Sequence, residues 1–482
     1  MINKSINLTQ KSFLLFLYII ILCVFGPALY WLNNTGTRIP LVQRTAKNPI
    51  QRRISIGDKI LITAHNSSAK QAGVDAFAKG DYVTASEQFD LALKSDRNDP
   101  EARIYLNNTI TAKTESSYRI GVSVPIGGNL AVAEEILRGV AQAQTKINSN
   151  GGINGKLLMV KIANDDNDPE IAQKVAYKFA EDGKILAVVG HNSSDVSIAA
   201  APIYQEEGLV AIAPTSSAES LAKMGDYIFR TVPSTRALAE ALADYAVNVE
   251  GKSNIAICID SGAKASVSFR ENFTWAVYNY GGKISPIECD LSAGDFVAEN
   301  IPSQAISQGV DALLLAPSVR KVDEAMEIVE ANKDRLTLLG NHTLNTYATL
   351  EQGQNAVNGM VLAVGWHPPS ASKFTQDARQ LWGGSVNWRT AMAYDATQTI
   401  AQAMTVGTTR ETLQQALANP EFVAGGATTE VSFLPSGDRN LQGTLVEIKP
   451  GKKSGTGYDF VPLTVEPNSI KSAPEFATTS PQ

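Results

Sequence analysis

Cysteine is scarce, with three in 482 residues. Cys23 lies in an uncharged apolar run, which leaves Cys258 and Cys289 as the one pair that could join within a folded domain. Both fall in runs that read as neighbouring strands, and buried free thiols are the reading favoured over a disulfide. Histidine is almost as rare. His65, His191, His342 and His367 are the whole set, and none is spaced i,i+4, so no metal is expected. Long runs of one charge are missing too; with charged residues at 19% spread along the chain and a net charge of -6, nucleic acid is not an expected partner. No G-x-S-x-G elbow occurs, and the GGINGK stretch fails as a phosphate loop, having Asn150 where glycine is needed and Leu157 where a hydroxyl is needed. His191 and Ser193 are near neighbours without an evident orienting acid. No enzyme and no cofactor are therefore expected.

What is present begins with Phe13 to Leu32, twenty uncharged residues preceded by Lys4 and Lys11. That length spans a bilayer, Tyr30 and Trp31 suit its far interface, and the residues after Ala28 make a poor signal-peptidase site, so an uncleaved anchor is expected. Arg38, Arg44, Lys47, Arg52 and Arg53 follow it, and positive-inside counting alone would put that side in the cytoplasm. The character of the rest of the chain overrides that count. Residues 34–68 lack periodicity and read as linker or short strand. Between Ala69 and Lys113 the spacing of Gly73, Ala76, Tyr82, Ala85, Phe89, Ala92 and Pro100 resembles one tetratricopeptide unit and the start of another. A single unit cannot bury its own face, and packing on the following domain is favoured over offering that face to a partner.

From Tyr118 onward strands and helices alternate for some 330 residues, too many units for one open sheet; two α/β lobes with helices on both faces are the natural solution. Asp168 followed by Pro169 marks one helix start. The centre of the pattern is Val188 to Ala218, where two apolar strands each end in hydroxyls: Asn192, Ser193 and Ser194 after the first, Thr215, Ser216 and Ser217 after the second. Ligands of open parallel sheets sit at such strand ends, where loops and helix amino termini offer donors. Helix capping by the same residues is the plain alternative.

The order RIGVSVPIGG, INSNGGINGKLL, GHNSSDVSIAAAPIYQEEGLVAIAPTSSA, YIFRTVPS, GMVLAVGW is similar to the branched-chain amino acid binding proteins, a type 1 periplasmic binding protein family also used as receptor ligand-binding domains. The resemblance runs from about Tyr118 to Pro462. It implies two doubly wound lobes joined by three crossover strands, with ligand in the cleft and hinge closure on binding. Phe229–Pro233 and Val361–Trp366 resemble the first two crossovers, with the third near Phe433–Asn440 and Arg230 holding the hinge. The implied division is an anchor at 1–33, a linker at 34–68, a helical hairpin segment at 69–114, lobe one at 118–232 and 366–434, lobe two at 233–365 and 440–465, and a disordered tail at 466–482. The resemblance gives Ser194, Ser217 and the backbone at Thr215 the ligand's carboxylate, with Gly128, Asn129, Lys264 and His342 also in the cleft. It also shows two departures: Lys264 and Ala265 stand where the family carries an aromatic, and Asn341 and His342 where it carries the acid that pairs with the ligand's ammonium. An amino acid, a carboxylate, an amide or a urea-like compound are all compatible ligands. The function implied is that of a membrane-anchored extracytoplasmic solute-binding protein working with an ABC permease. The alternative is a sensory or scaffold ectodomain that uses the same cleft to regulate a partner.

Overall fold

A computed structural model describes residues 49–114, 116–369 and 372–463. The expected anchor at Phe13–Leu32 and the tail at 466–482 lie outside these residues; among the described ones no helix is long and apolar enough to cross a membrane.

Two large sheets organise the chain. The first contains β1 (Ile54–Ser55), β2 (Ser117–Val124), β3 (Leu157–Asn164), β4 (Ile185–Val189), β5 (Val210–Ala213) and β6 (Ile228–Arg230), in the order β1-β3-β2-β4-β5-β6. All neighbours are parallel except β1, which adds an antiparallel edge from within the stretch read as linker. The second holds β7 (Asn254–Ile259), β8 (Lys283–Ile284), β9 (Ala312–Ala316), β10 (Thr337–Gly340) and β11 (Val361–Val364). After a small hairpin of β12 (Ala424–Gly425) and β13 (Glu430–Val431), β14 (Thr444–Pro450) and β15 (Tyr458–Pro462) complete it, in the order β15-β14-β11-β10-β9-β7-β8. β5, β7 and β9 are buried at every position, which is why they read as unbroken apolar runs: helices cover both faces. Each sheet accordingly has two apolar clusters, one per face.

The chain passes between the sheets after β6, after β11 and before β14. The later segments of the first half are the helices Trp388–Val406 and Arg410–Ala418. Trp388–Val406 packs on the helix Leu130–Ser149, whose Gly139 admits a close approach: a Cβ there would lie 2.2 Å from the Thr390 carbonyl oxygen. The first and third passages are tied together by Arg230. Its Nε donates to Asp438 at 2.6 Å, and the same passage carries the buried Arg439–Asp395 pair at 2.7 Å.

Asp168 caps the helix Pro169–Glu181, as its sequence context implies. The helical segment forms Ser68–Ala78, Tyr82–Ser95 and Pro100–Ala112. Phe77, Phe89 and Tyr105 share one cluster with Val140 and Val160 of the first lobe, so the segment's apolar face is covered by the domain behind it. Fully buried Lys70 meets Asp99 at 2.7 Å and Glu101 at 2.8 Å, and Glu101 also accepts the Leu61 and Ile62 amides. Asn108 donates to the Val160 carbonyl and accepts its amide, grafting the third helix onto β3.

One expectation is overturned. Cys258 and Cys289 form a disulfide rather than two free thiols. β8 ends after two residues, and the chain bulges away and rejoins the same edge of β7, still parallel, where Asp290 bridges Ile259 and Cys289 lies beside the end of β7.

Candidate functional site

The loops after β4 and β5 take their shape from one glycine and from their own hydroxyls. Gly190 has φ +137°, a region that side chains avoid, and a Cβ there would come within 2.7 Å of the Ser123 carbonyl oxygen. Behind the loop, Ser123 donates to Asp165, Asp165 bonds His191 at 2.6 Å, and His191 bonds Tyr204 at 3.0 Å, a buried chain that fixes the loop's base. Thr215 Oγ1 donates to the Asn192 carbonyl at 2.8 Å. Ser216 bonds Ser197 at 2.7 Å, and Ser194 Oγ accepts the Ala218 amide at 3.1 Å. Arg230 Nη1 donates to the Ser217 and Ala218 carbonyls at 2.6 and 2.7 Å, coupling the second loop to the inter-sheet passage. Each loop therefore holds the other.

Facing them across the cleft are the starts of helices that follow β7, β9 and β10. Asp195, in the first turn of Ser194–Glu206, accepts the Lys264 amide with both oxygens at 3.3 Å. Glu219 N donates to Ser268 Oγ at 3.2 Å, and Ser217 Oγ lies 3.5 Å from His342 Nε2. Between these contacts is a chamber of about 60 Å³. Asn192, Ser193, Ser194 and Thr215 line it from the first sheet and His342 from the second. A vestibule of about 500 Å³ continues outward from it, sharing Val319, Arg320, Thr343 and Arg389 with the chamber.

The structure does not bring all the sequence candidates to the chamber. Ser216 and Ser217 are 0% exposed and do not line the chamber; Ser216 bonds within the loops, and Ser217 is covered by His342. Gly128 packs under the Asp166 turn, where a Cβ would meet the Asp166 carbonyl oxygen, while Asn129 caps Leu130–Ser149 and borders the vestibule. Lys264 turns its side chain to solvent, and its neighbours Ala263 and Ala265 form the wall instead. Trp388 and Arg389 line the chamber without having been singled out. They lie far along the chain, at the start of a helix whose turns otherwise read as core, and no local pattern marks them.

Burial pushes His342 down to about 3, helped by the charge of Arg389, so its imidazole is neutral at pH 7. Burial also lowers Arg389, to about 10, against the pull of Glu135. Asp195 is raised by burial, which the Lys264 amide partly offsets. Hydroxyls, a helix amino terminus and a guanidinium around one small space favour an anion.

Comparison with known proteins bears on what this cleft belongs to. A family model described as periplasmic binding protein matches residues 117–453. An amino acid binding protein of Pseudomonas aeruginosa is 35% identical over 143 residues, 29% of this chain and 38% of that protein. A Leu/Ile/Val-binding protein of Rhizobium johnstonii is 26% identical over 247 residues, 50% of this chain and 66% of that one. The aligned stretches thus span about 38% and 66% of these curated relatives. Among solved structures, a leucine binding protein of Thermotoga maritima matches with TM-score 0.64 at 19% identity, covering 73% of this chain and 100% of that one. A solute binding protein of Rhodopseudomonas palustris HaA2 in complex with p-hydroxybenzoic acid matches with TM-score 0.63 at 16% identity, covering 72% and 96%. At such identities the structural likeness is one of fold.

Proposed function

We propose a function from one premise: the chain belongs to the periplasmic binding protein family. It is a solute-binding protein that captures a small molecule between its two lobes and delivers it to an ABC permease. The observation that carries this reading is the chamber between the sheets, walled on one side by the loops after β4 and β5 and on the other by His342 and Thr343. The Ser194 hydroxyl and the Thr215 backbone amide offer neutral donors for the acid group of a ligand, and the helix beginning at Ser194 adds its dipole. Ser217, Gly128, Asn129 and Lys264 serve by shaping the loops and the rim. The family operates outside the cytoplasm, and the Cys258–Cys289 disulfide suits that compartment. The apolar run Phe13–Leu32 would hold the binding domain at the membrane, near its permease. With the apolar face of the helical segment turned into the first lobe, the segment reads as a brace between anchor and binding domain rather than as a sensor's docking arm.

A thermal-shift screen of the full chain against amino acids, short carboxylates, amides and urea tests capture. A ligand at a hundredfold its Kd adds about 2.7 kcal/mol of stability. Silence across the whole panel would remove the solute-binding reading. For topology, a reporter fused to the C-terminus should be active only outside the cytoplasm.

A further inference from the structure

The charges of the cleft do not cancel. Arg389 is 2% exposed, and its guanidinium meets the Asn345 carbonyl at 3.3 Å and the face of Trp388, with no ion pair among the described residues. The carboxylates around it are engaged elsewhere. Asp195 holds the Lys264 amide, Glu134 takes His65 and Arg138, and Glu135 takes Arg138 and the Thr390 hydroxyl. His342 is neutral and brings no charge; its Nδ1 and the Trp388 Nε1 are buried without a hydrogen-bond partner. A buried cation and two orphaned polar atoms at one place are costly unless something else completes them.

We propose that the ligand of this cleft is an organic carboxylate carrying no ammonium group, and that Arg389 holds its charge. This rests on the reading that the cleft captures a small solute. The chamber's 60 Å³ takes about four or five water-sized spheres, the bulk of a carboxylate head and little more. The head sits between the Ser194 hydroxyl, whose proton is not used within the loops, the backbone amide of Thr215 and the guanidinium of Arg389. The body of the ligand extends past that guanidinium into the vestibule, whose walls include Val132, Val322 and Tyr347. An α-ammonium beside the head would lie close to Arg389, and the one carboxylate lining the chamber among the described residues, Asp195, already accepts the Lys264 amide with both oxygens. A guanidinium paired to a carboxylate forms short charge-assisted bonds, which an amide or a hydroxyl cannot match.

A matched series decides the matter on the purified full chain by calorimetry: leucine, 4-methylpentanoate, 4-methylpentanamide and 3-methylbutylamine, with benzoate as a second carboxylate. At least one carboxylate should bind tenfold or more tighter than leucine, the amide and the amine. Arg389→Met should weaken that carboxylate at least tenfold, and Arg389→Lys should recover part of the loss. The wild-type series stands even where a variant fails to fold. Leucine binding as tightly as its des-amino partner, preference for the amide or the amine, or unchanged carboxylate affinity in a folded Arg389→Met would each overturn the assignment while leaving capture intact. Silence of the entire series and of the wider solute panel would overturn capture and this assignment together.

Discussion

Arg230 shows how a single side chain serves both the site and the hinge. It is 1% exposed, its Nε is paired with Asp438 on the third passage between sheets, and its Nη1 caps the carbonyls of Ser217 and Ala218 on the second loop. Removing a buried partner strands the other charge, here together with two carbonyl acceptors. Arg230→Met should therefore cost about 3 kcal/mol or more of stability, read from chemical denaturation. Any ligand that stabilises the wild type should bind the surviving folded variant more weakly, because the loop carrying Thr215 loses its tether. A variant with unchanged midpoint and unchanged affinity would show that the loop is held by its hydroxyls alone. Arg389 contrasts with it: buried to a similar degree, it has no ion pair among the described residues, and that difference separates a structural guanidinium from one kept for a ligand.

At the level of elements, the junction between the helical segment and the first lobe has a built-in pH dependence. His65 lies between Asp96, which follows the helix Tyr82–Ser95, and Glu134 of the helix Leu130–Ser149, at 2.6 and 2.9 Å. The hydrogen bond to Glu134 raises His65 to about 9 against the opposing effect of burial, with Asp96 adding to the rise. A folded value above the ordinary 6.5 means that the contribution is complete below about pH 6.5 and is lost as pH rises through about 9. His65→Gln should thus destabilise the chain at pH 6.5 and make little difference near pH 10, compared by urea midpoints of the two proteins. A gap of constant size across that range would show that the histidine acts by packing rather than by charge. Lys70, with Asp99 and Glu101 around it, is raised from an already high value and keeps its charge throughout this window.

For the whole molecule, the disulfide closes a 31-residue separation spanning most of a β-α-β unit of the second lobe. Chain-entropy reasoning gives about 3–4 kcal/mol for a loop of that length. The double variant Cys258→Ala, Cys289→Ala should lose about that much in guanidinium denaturation. A loss confined to the two small cavities, about 1 kcal/mol or less, would show that β7 and its return segment are held by packing alone. The two sheets have separate apolar clusters, and beside the Val319 and His342–Trp388 contacts much of what joins them is polar: the Arg230 and Arg439 pairs, and across the cleft the bonds of Asp195, Ser217 and Glu219 to the opposite wall. Polar junctions of this kind exchange readily with water, which suits a pair of lobes that must open and close.

The order of strands and helices, the capped helix at Asp168 and the two hydroxyl loops were readable from the chain itself. Each rests on local pattern: continuous apolar runs for strands covered on both faces, and small polar residues where a strand meets a helix. The sequence also marked Lys264 and His342 as places where this chain leaves its relatives, and of these His342 reaches the chamber while Lys264 points to solvent. The tertiary structure alone decided the rest. Ser216 is spent on internal bonds because two loops packed edge to edge satisfy one another first, and the buried Ser217 hydroxyl meets His342 of the opposite wall. The thiols are joined because a strand stopped short and the chain, after a bulge, rejoined the edge of β7 beside Cys258. Arg389 enters the cleft because the helix that bears it packs on Leu130–Ser149 through Gly139, a contact between segments distant in the chain that no local periodicity records.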